Sequence, residues 1–159
     1  MYRNMRRSDR QISREEAMEI LRNGEYGFLA TVGGDNQPYA VPLSYIVIEN
    51  EIFFHCALSG QKLDNIAHEE KVCFSVAGET QPVYDNNFTT YFESAVVFGK
   101  ARIIEDLDMK KEVLLKLAEK YLPEYMNMAD KAIDGSMTKT AVCAVTIDHI
   151  TGKAKKKKI

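Results

Sequence analysis

The chain has 159 residues, 45% of them hydrophobic and 28% charged, with a formal net charge of −2. This is enough for one domain with a real core, ordinary for a soluble globular protein, and too weakly basic for a dedicated nucleic-acid binder. No apolar run reaches the length of a membrane span, the basic first seven residues lead into polar ones unlike a signal peptide, and three widely spaced cysteines (Cys56, Cys73, Cys143) fit a reducing cytoplasm better than a disulfide framework.

Ser13 and Glu16 form a capping-box pattern ahead of Ala17, Ile20 and Leu21 at helical spacing, and Gly24 is a stop signal. Residues 26–32, 38–47 and 51–57 read as three strands separated by a polar turn at 33–37 and a turn at Glu49-Asn50. Their apolar character on both faces points to a barrel or stacked sheets. Ser59 stands where it can cap a short helix with Leu63, Ile66 and Ala67 on one face. Residues 71–76 read as a fourth strand, 77–87 as a polar loop, and 92–104 as a long strand in which Gly99 marks a bulge or a close contact. Residues 106–121 make the clearest helix, with Val113, Leu114, Leu117, Ala118 and Tyr121 as its apolar stripe and Pro123 as its stop. Residues 124–137 are ambiguous, a second short helix being one reading. A last strand covers 140–149, and the lysine-rich residues 152–158 read as a mobile tail. The expected fold is mainly β with peripheral helices, a single barrel domain with a helical extension over about residues 1–24.

Pro42 lies inside a strand pattern. Proline cannot donate to a ladder, so pairing should be interrupted there, leaving the backbone of Val41, Leu43 and Ser44 to face a flat heterocycle; the plain alternative is an edge strand or a bulge. Ser59-Gly60-Gln61-Lys62 is a helix start whose free N–H groups and lysine, near the third helical position, suit a phosphate; the plain alternative is a serine cap beside a solvated lysine. His55 precedes that loop and reads either as a residue of the same pocket or as a hydrogen-bonded structural histidine. Strand alternation sends Cys56 to the opposite face, so the two make neither a metal pair nor a dyad. His68 reads as solvated and His149 as a buried histidine at a strand end. No metal-ligand spacing, nucleophile elbow, P-loop or dinucleotide fingerprint is present.

Met5-Arg-Arg-Ser-Asp-Arg10, Gly27-Phe-Leu-Ala-Thr-Val32, Pro38-Tyr-Ala-Val-Pro-Leu-Ser-Tyr45, Phe54-His-Cys-Ala57 with Gly60-x-Lys62, residues 91–101 and residues 147–153 occur in an order and spacing that resembles the FMN-binding split-barrel superfamily. These are the pyridoxamine 5'-phosphate oxidase-like proteins, and the nitroimidazole-resistance (Nim-type) branch is the most similar. The resemblance covers nearly the whole chain. It implies a split β-barrel and a homodimer with two FMN sites at the subunit interface. It also implies that Thr31 and the Pro42-Leu43-Ser44 backbone face the flavin ring, and that Lys62 with Ser59 or Gly60 holds the phosphate. His55 matches a histidine that lies beside the flavin in Nim-type proteins and is linked to electron transfer there, and Ser94 and Val96 would come from the partner chain; a proton-donor role for His55 toward the reduced substrate is expected on its chemistry. Some relatives carry arginine where this chain has Lys62, which keeps the charge and loses the bidentate fork. No set of residues for holding pyridoxine phosphate stands out. The expected function is an FMN-dependent, nitroreductase-like oxidoreductase without metal. The alternatives are an FMN- or haem-binding carrier or sensor without turnover, and an RNA-associated protein using its terminal basic residues.

Overall fold

The computed structural model describes residues 2–84 and 86–156. Helix α1 (Arg14–Asn23) starts on the expected reciprocal cap: the Ser13 hydroxyl accepts the Glu16 N–H at 3.2 Å, and the Glu16 carboxylate accepts the Ser13 N–H at 3.0 Å. Its buried face, Ala17, Met18, Ile20 and Leu21, lies on the sheet. The strands are β1 (Gln11–Ile12), β2 (Gly27–Val32), β3 (Pro38–Leu43), β4 (Ile46–Ile48), β5 (Glu51–Ala57), β6 (Lys71–Tyr84), β7 (Phe88–Ile103), β8 (Thr140–Thr146) and β9 (His149–Lys155). Helix α2 (Gln61–His68) follows β5, and α3 (Leu107–Tyr121) and α4 (Met126–Ser136) lie between β7 and β8.

All pairings are antiparallel, in the order β3-β2-β6-β7-β8-β5-β4, with β9 beside β7 and β1 beside β9. The two end strands, β3 and β4, are joined by Ser44 and Tyr45 alone, so the sheet must curl until its ends meet at that link. Away from the link the ends are unpaired among the described residues. The result is a barrel split along one seam, mainly β with helices outside. Its interior is filled by Leu29, Phe54, Phe74, Val76, Val97 and Cys143, among others. A second core, with Phe53, Val113, Leu117, Ile133, Val142 and Ala144, lies between α3, α4 and the outer face of β5 and β8.

Four expectations are corrected. The strand expected over 38–47 breaks at Ser44-Tyr45, because β3 pairs with β2 while β4 pairs with β5. Pro42 does not interrupt pairing: it sits opposite Phe28 in an unbroken ladder on an edge strand, where its missing N–H costs nothing. The loop expected at 77–87 is mostly the projecting hairpin of β6 and β7, with a register shift between Ala77 and Thr80. The tail is ordered through Lys155: Ile150, Gly152 and Ala154 point inward against the barrel while Thr151, Lys153 and Lys155 point out. Residues 157–158 of that expected tail lie outside the described residues. Gly99 marks a close contact. A Cβ there would strike the Thr146 carbonyl, at the point where β7 leaves β9 and takes β8 as its partner.

Candidate functional site

The link between the sheet ends is held by α3. Tyr45 is fully buried, its hydroxyl donating to the Leu21 carbonyl. Its backbone N–H donates to the Tyr121 hydroxyl at 2.9 Å, which in turn reaches the Glu25 carbonyl at 2.6 Å. Lys120 donates to the Gly24 carbonyl at 2.7 Å and the Tyr45 carbonyl at 2.9 Å, with its ammonium 4.4 Å from the Tyr45 ring centroid. Burial raises the Tyr45 pKa and lowers that of Lys120. Nothing in the sequence pattern pairs residues 45 and 121, and the network was missed for that reason.

Beyond that link, β4 pairs only with the Glu51–Phe53 part of β5, leaving the edge of residues 54–57 free toward β3. Among the described residues the outer edge of β3 is likewise unpaired. Val41, Leu43, Val47 and Cys56 are half-buried residues packed on the barrel core, which makes the seam apolar. The chain then turns through Leu58, Ser59 and Gly60 into α2, so the start of that helix follows directly from the β5 side of the seam.

The α2 start differs from the expected serine cap. The N-cap is Gly60, at φ 142° and without a side-chain cap, and Lys62 is the second helical residue instead of the third. The backbone carbonyl of Gly60 accepts the N–H groups of Leu63 and Asp64 at 2.9 and 3.2 Å; those of Gln61 and Lys62 precede the first intrahelical bond. A Cβ built on Gly60 would meet nothing within 4 Å. Open space, two amides at the positive end of a helix and a lysine in its first turn are groups of the kind an anion is held by. On the helix underside, Asn65 takes the buried place expected for Ala67, which is exposed.

The expected site residues fall into four groups. Val41, Pro42, Leu43 and Ser44 border one side of the seam, with Ser59, Gly60 and Lys62 past the end of its other side. Thr31 points inward and is 5% exposed; its hydroxyl accepts from Asn65 Nδ2 at 2.9 Å and lies 3.5 Å from the Tyr39 carbonyl. His55 is exposed on the outer face of β5, the face of Phe53, opposite to Cys56. Ser94 and Val96 lie on β7, separated from β3 by β2 and β6. They belong to an outward sheet face with Phe28 (43% exposed), Ala30, Val32, Cys73, Ser75 and Phe98 (38% exposed). A groove of about 360 Å³ opens on that face between Tyr2, Ala30, Val32, Cys73 and Phe98. His149 is half-buried at the start of β9 and stacks on Tyr2 with ring centroids 4.5 Å apart, so it is not the fully buried histidine expected. His68 is exposed.

Among the described residues no group of His, Cys, Asp and Glu side chains is arranged to hold a metal ion, and no helix is long and apolar enough to cross a membrane. The thiol cluster in the seam also went unread in the sequence. Cys56 and Cys143 are far apart in the chain and meet only because β5 pairs with β8.

Among the described residues the fold is a nine-stranded split barrel with the start of α2 directly after its seam, and the sequence fits one family. The profile of the family described as Pyridoxamine 5'-phosphate oxidase matches residues 13–154, and the chain belongs to that family. No curated protein matches the chain. Among solved structures it resembles a candidate 5-nitroimidazole antibiotic resistance protein from Bacteroides thetaiotaomicron, with a TM-score of 0.77 and 21% identity over 90% of this chain and 85% of that one. The flavocytochrome Anf3 from Azotobacter vinelandii gives a TM-score of 0.81 and 19% identity over 97% and 73% of the two chains. A FAD- and haem-binding protein from Mycobacterium smegmatis gives 0.77 and 21% over 93% and 74%. At these identities the likeness is one of fold.

Proposed function

We propose that this chain is a homodimeric, FMN-dependent oxidoreductase of the reducing cytoplasm, acting on a small electron-poor substrate such as a nitroaromatic. The observation that carries the reading is the α2 start: two free amides, an open Gly60 cap and Lys62, set beside an apolar seam with unpaired strand edges. Family membership and the flavin named for two of the structural relatives support it.

Bound FMN would supply the electron transfer. The residues of this chain do the rest. The Gln61 and Lys62 amides and the Lys62 ammonium hold a phosphate. Val41 and Leu43 give the ring an apolar floor that excludes water, and the free edge of β3 offers N–H and C=O groups to polar atoms along the ring. His55, exposed on the outer face of β5, is the imidazole assigned as proton donor to a reduced substrate oxygen or nitrogen that reaches that face. The outward sheet face, with Phe28, Phe98 and Val96 exposed or half-exposed, is the surface on which a second copy would bring Ser94 and Val96 to the site.

Titration with FMN and riboflavin tests this reading. Tight FMN binding, riboflavin at least tenfold weaker, and loss of that discrimination in Lys62→Met are expected. Equal affinity for both flavins would remove the phosphate site, a Soret band in the purified protein would favour a haem carrier, and bound FMN that no nicotinamide reductant bleaches would favour a carrier without turnover.

A further inference from the structure

Past the register shift at Ala77, β6 and β7 leave the barrel as a two-stranded ribbon, residues 80–84 against 88–92. Tyr84 and Phe88 stand opposite each other at its end, 72% and 87% exposed. Their rings meet edge-on with centroids 5.3 Å apart, and most of their apolar surface stays in water. Over residues 80–92 the sequence holds one charged residue, Asp85, and no lysine or arginine. A two-stranded ribbon is marginal in water unless another layer packs on it.

Alternation along β7 puts Phe88 on the same side as Phe92, Ser94, Val96 and Phe98, so the tip continues the outward sheet face. At the other end of that face lies the groove of about 360 Å³. Ala30, Val32 and Cys73 form its floor, and Phe98 with Tyr2, ring centroids 5.5 Å apart, forms an aromatic wall. Its rim carries charge, from Lys71, Lys100 and Asp148. An apolar floor inside a charged rim is how protein–protein interfaces are built. Lys153 and Lys155, which border the stripe from β9, turn onto their own chain, with ammonium groups 5.8 and 5.9 Å from the ring centroids of Phe92 and Tyr91.

The tip cannot fill the groove of its own chain. Phe88 and Phe98 are held apart on one continuous strand, by about 34 Å at the ordinary rise per residue. A second copy presents the same groove to the tip. Phe28, Tyr84, Phe88 and Phe98 expose on the order of 500 Å² per copy, a large part of the roughly 800 Å² per partner that a stable dimer buries. An anionic membrane would call for basic residues at the tip, where the chain has none. We propose that the β6–β7 ribbon is a reciprocal arm between two copies of this chain, with Tyr84 and Phe88 of each seated in the other's groove against the partner's Phe98 and the partner's Cys73. Two-fold symmetry makes the contact twice. The proposal rests on the homodimer reading above and adds the segment that joins the copies.

Sedimentation equilibrium of the full chain reads the dimer constant, and a disulfide trap reads the seat. Tyr84→Ser and Phe88→Ser should each weaken the dimer at least tenfold while leaving the urea midpoint in place, because both side chains are exposed. Leu107→Ser, at an exposed position on α3, should leave the dimer unchanged. In Phe88→Cys oxidised with copper phenanthroline, the introduced thiol should bond to the partner's Cys73, seen on a non-reducing gel and by peptide mass, and adding Cys73→Ser should abolish that link. Tip variants that dimerise as tightly as the parent, or introduced thiols that link only to each other, overturn the arm and leave the homodimer standing. Tip variants that dimerise normally but lose binding to phosphatidylcholine vesicles assign the tip to a membrane and overturn the arm. A parent chain that stays monomeric with FMN bound overturns the homodimer reading and the arm with it.

Discussion

Tyr121→Phe tests how the barrel is kept split. The variant keeps the ring and removes the one hydroxyl that accepts the Tyr45 N–H at 2.9 Å and reaches the Glu25 carbonyl at 2.6 Å. The Tyr45 amide belongs to a fully buried residue and gains no other partner, so its desolvation is left uncompensated, at about 1–3 kcal/mol. Tyr121 is itself half-buried, so water reaches part of the gap, which brings the expected loss to about 1–2 kcal/mol. The Tyr45 carbonyl keeps Lys120 at 2.9 Å and adds nothing to the loss. For a domain of this size that is a fall in Tm of about 2–8 °C, read by calorimetry together with the urea midpoint. Tyr125→Phe is the control, since Tyr125 is 52% exposed, and it should stay within about 0.5 kcal/mol of the parent. If both variants melt together, the α3 contacts do not hold the β3–β4 link and the account of the seam fails.

Gly99→Ala should destabilise by about 1–3 kcal/mol or prevent folding, because its Cβ strikes the Thr146 backbone, which cannot swing away as a side chain would; the urea midpoint reads this. Asn65→Ala removes a buried donor to Thr31 and opens a small cavity, and should cost about 1–3 kcal/mol in the same assay while Ala67→Ser, on the exposed side of α2, costs under about 0.5. Lys62→Met should weaken FMN about 10- to 100-fold while leaving riboflavin affinity in place, the loss of one charge-assisted contact of about 1.5–3 kcal/mol, measured by fluorescence titration. His55→Ala should lower turnover with a nitroaromatic without releasing FMN; unchanged turnover would remove it as proton donor.

Local chemistry was legible in the chain. The Ser13–Glu16 cap, the stripe of α3 and the placing of His55 and Cys56 on opposite faces follow from short-range periodicity, which a sequence carries directly. The Gly60-x-Lys62 helix start was also visible, although a glycine at φ 142° took the cap that the serine pattern offered. In residues 149–155 the inward places hold Ile150, Gly152 and Ala154. Gly152 lies close to Ile12 and Ala17, and the buried residue at 154 is also small, so that ninth strand shows weak hydrophobic contrast and reads as a lysine-rich tail. What only the tertiary structure decided is which edges stay free and which side chains meet across them. Strand pairing is set by contacts far apart in the chain. It broke the 38–47 run at Ser44, brought Tyr121 to Tyr45, and put Cys143 on the same inward face as Cys56. No local pattern encodes that convergence, because each of these residues would satisfy its own strand or helix equally well without the others.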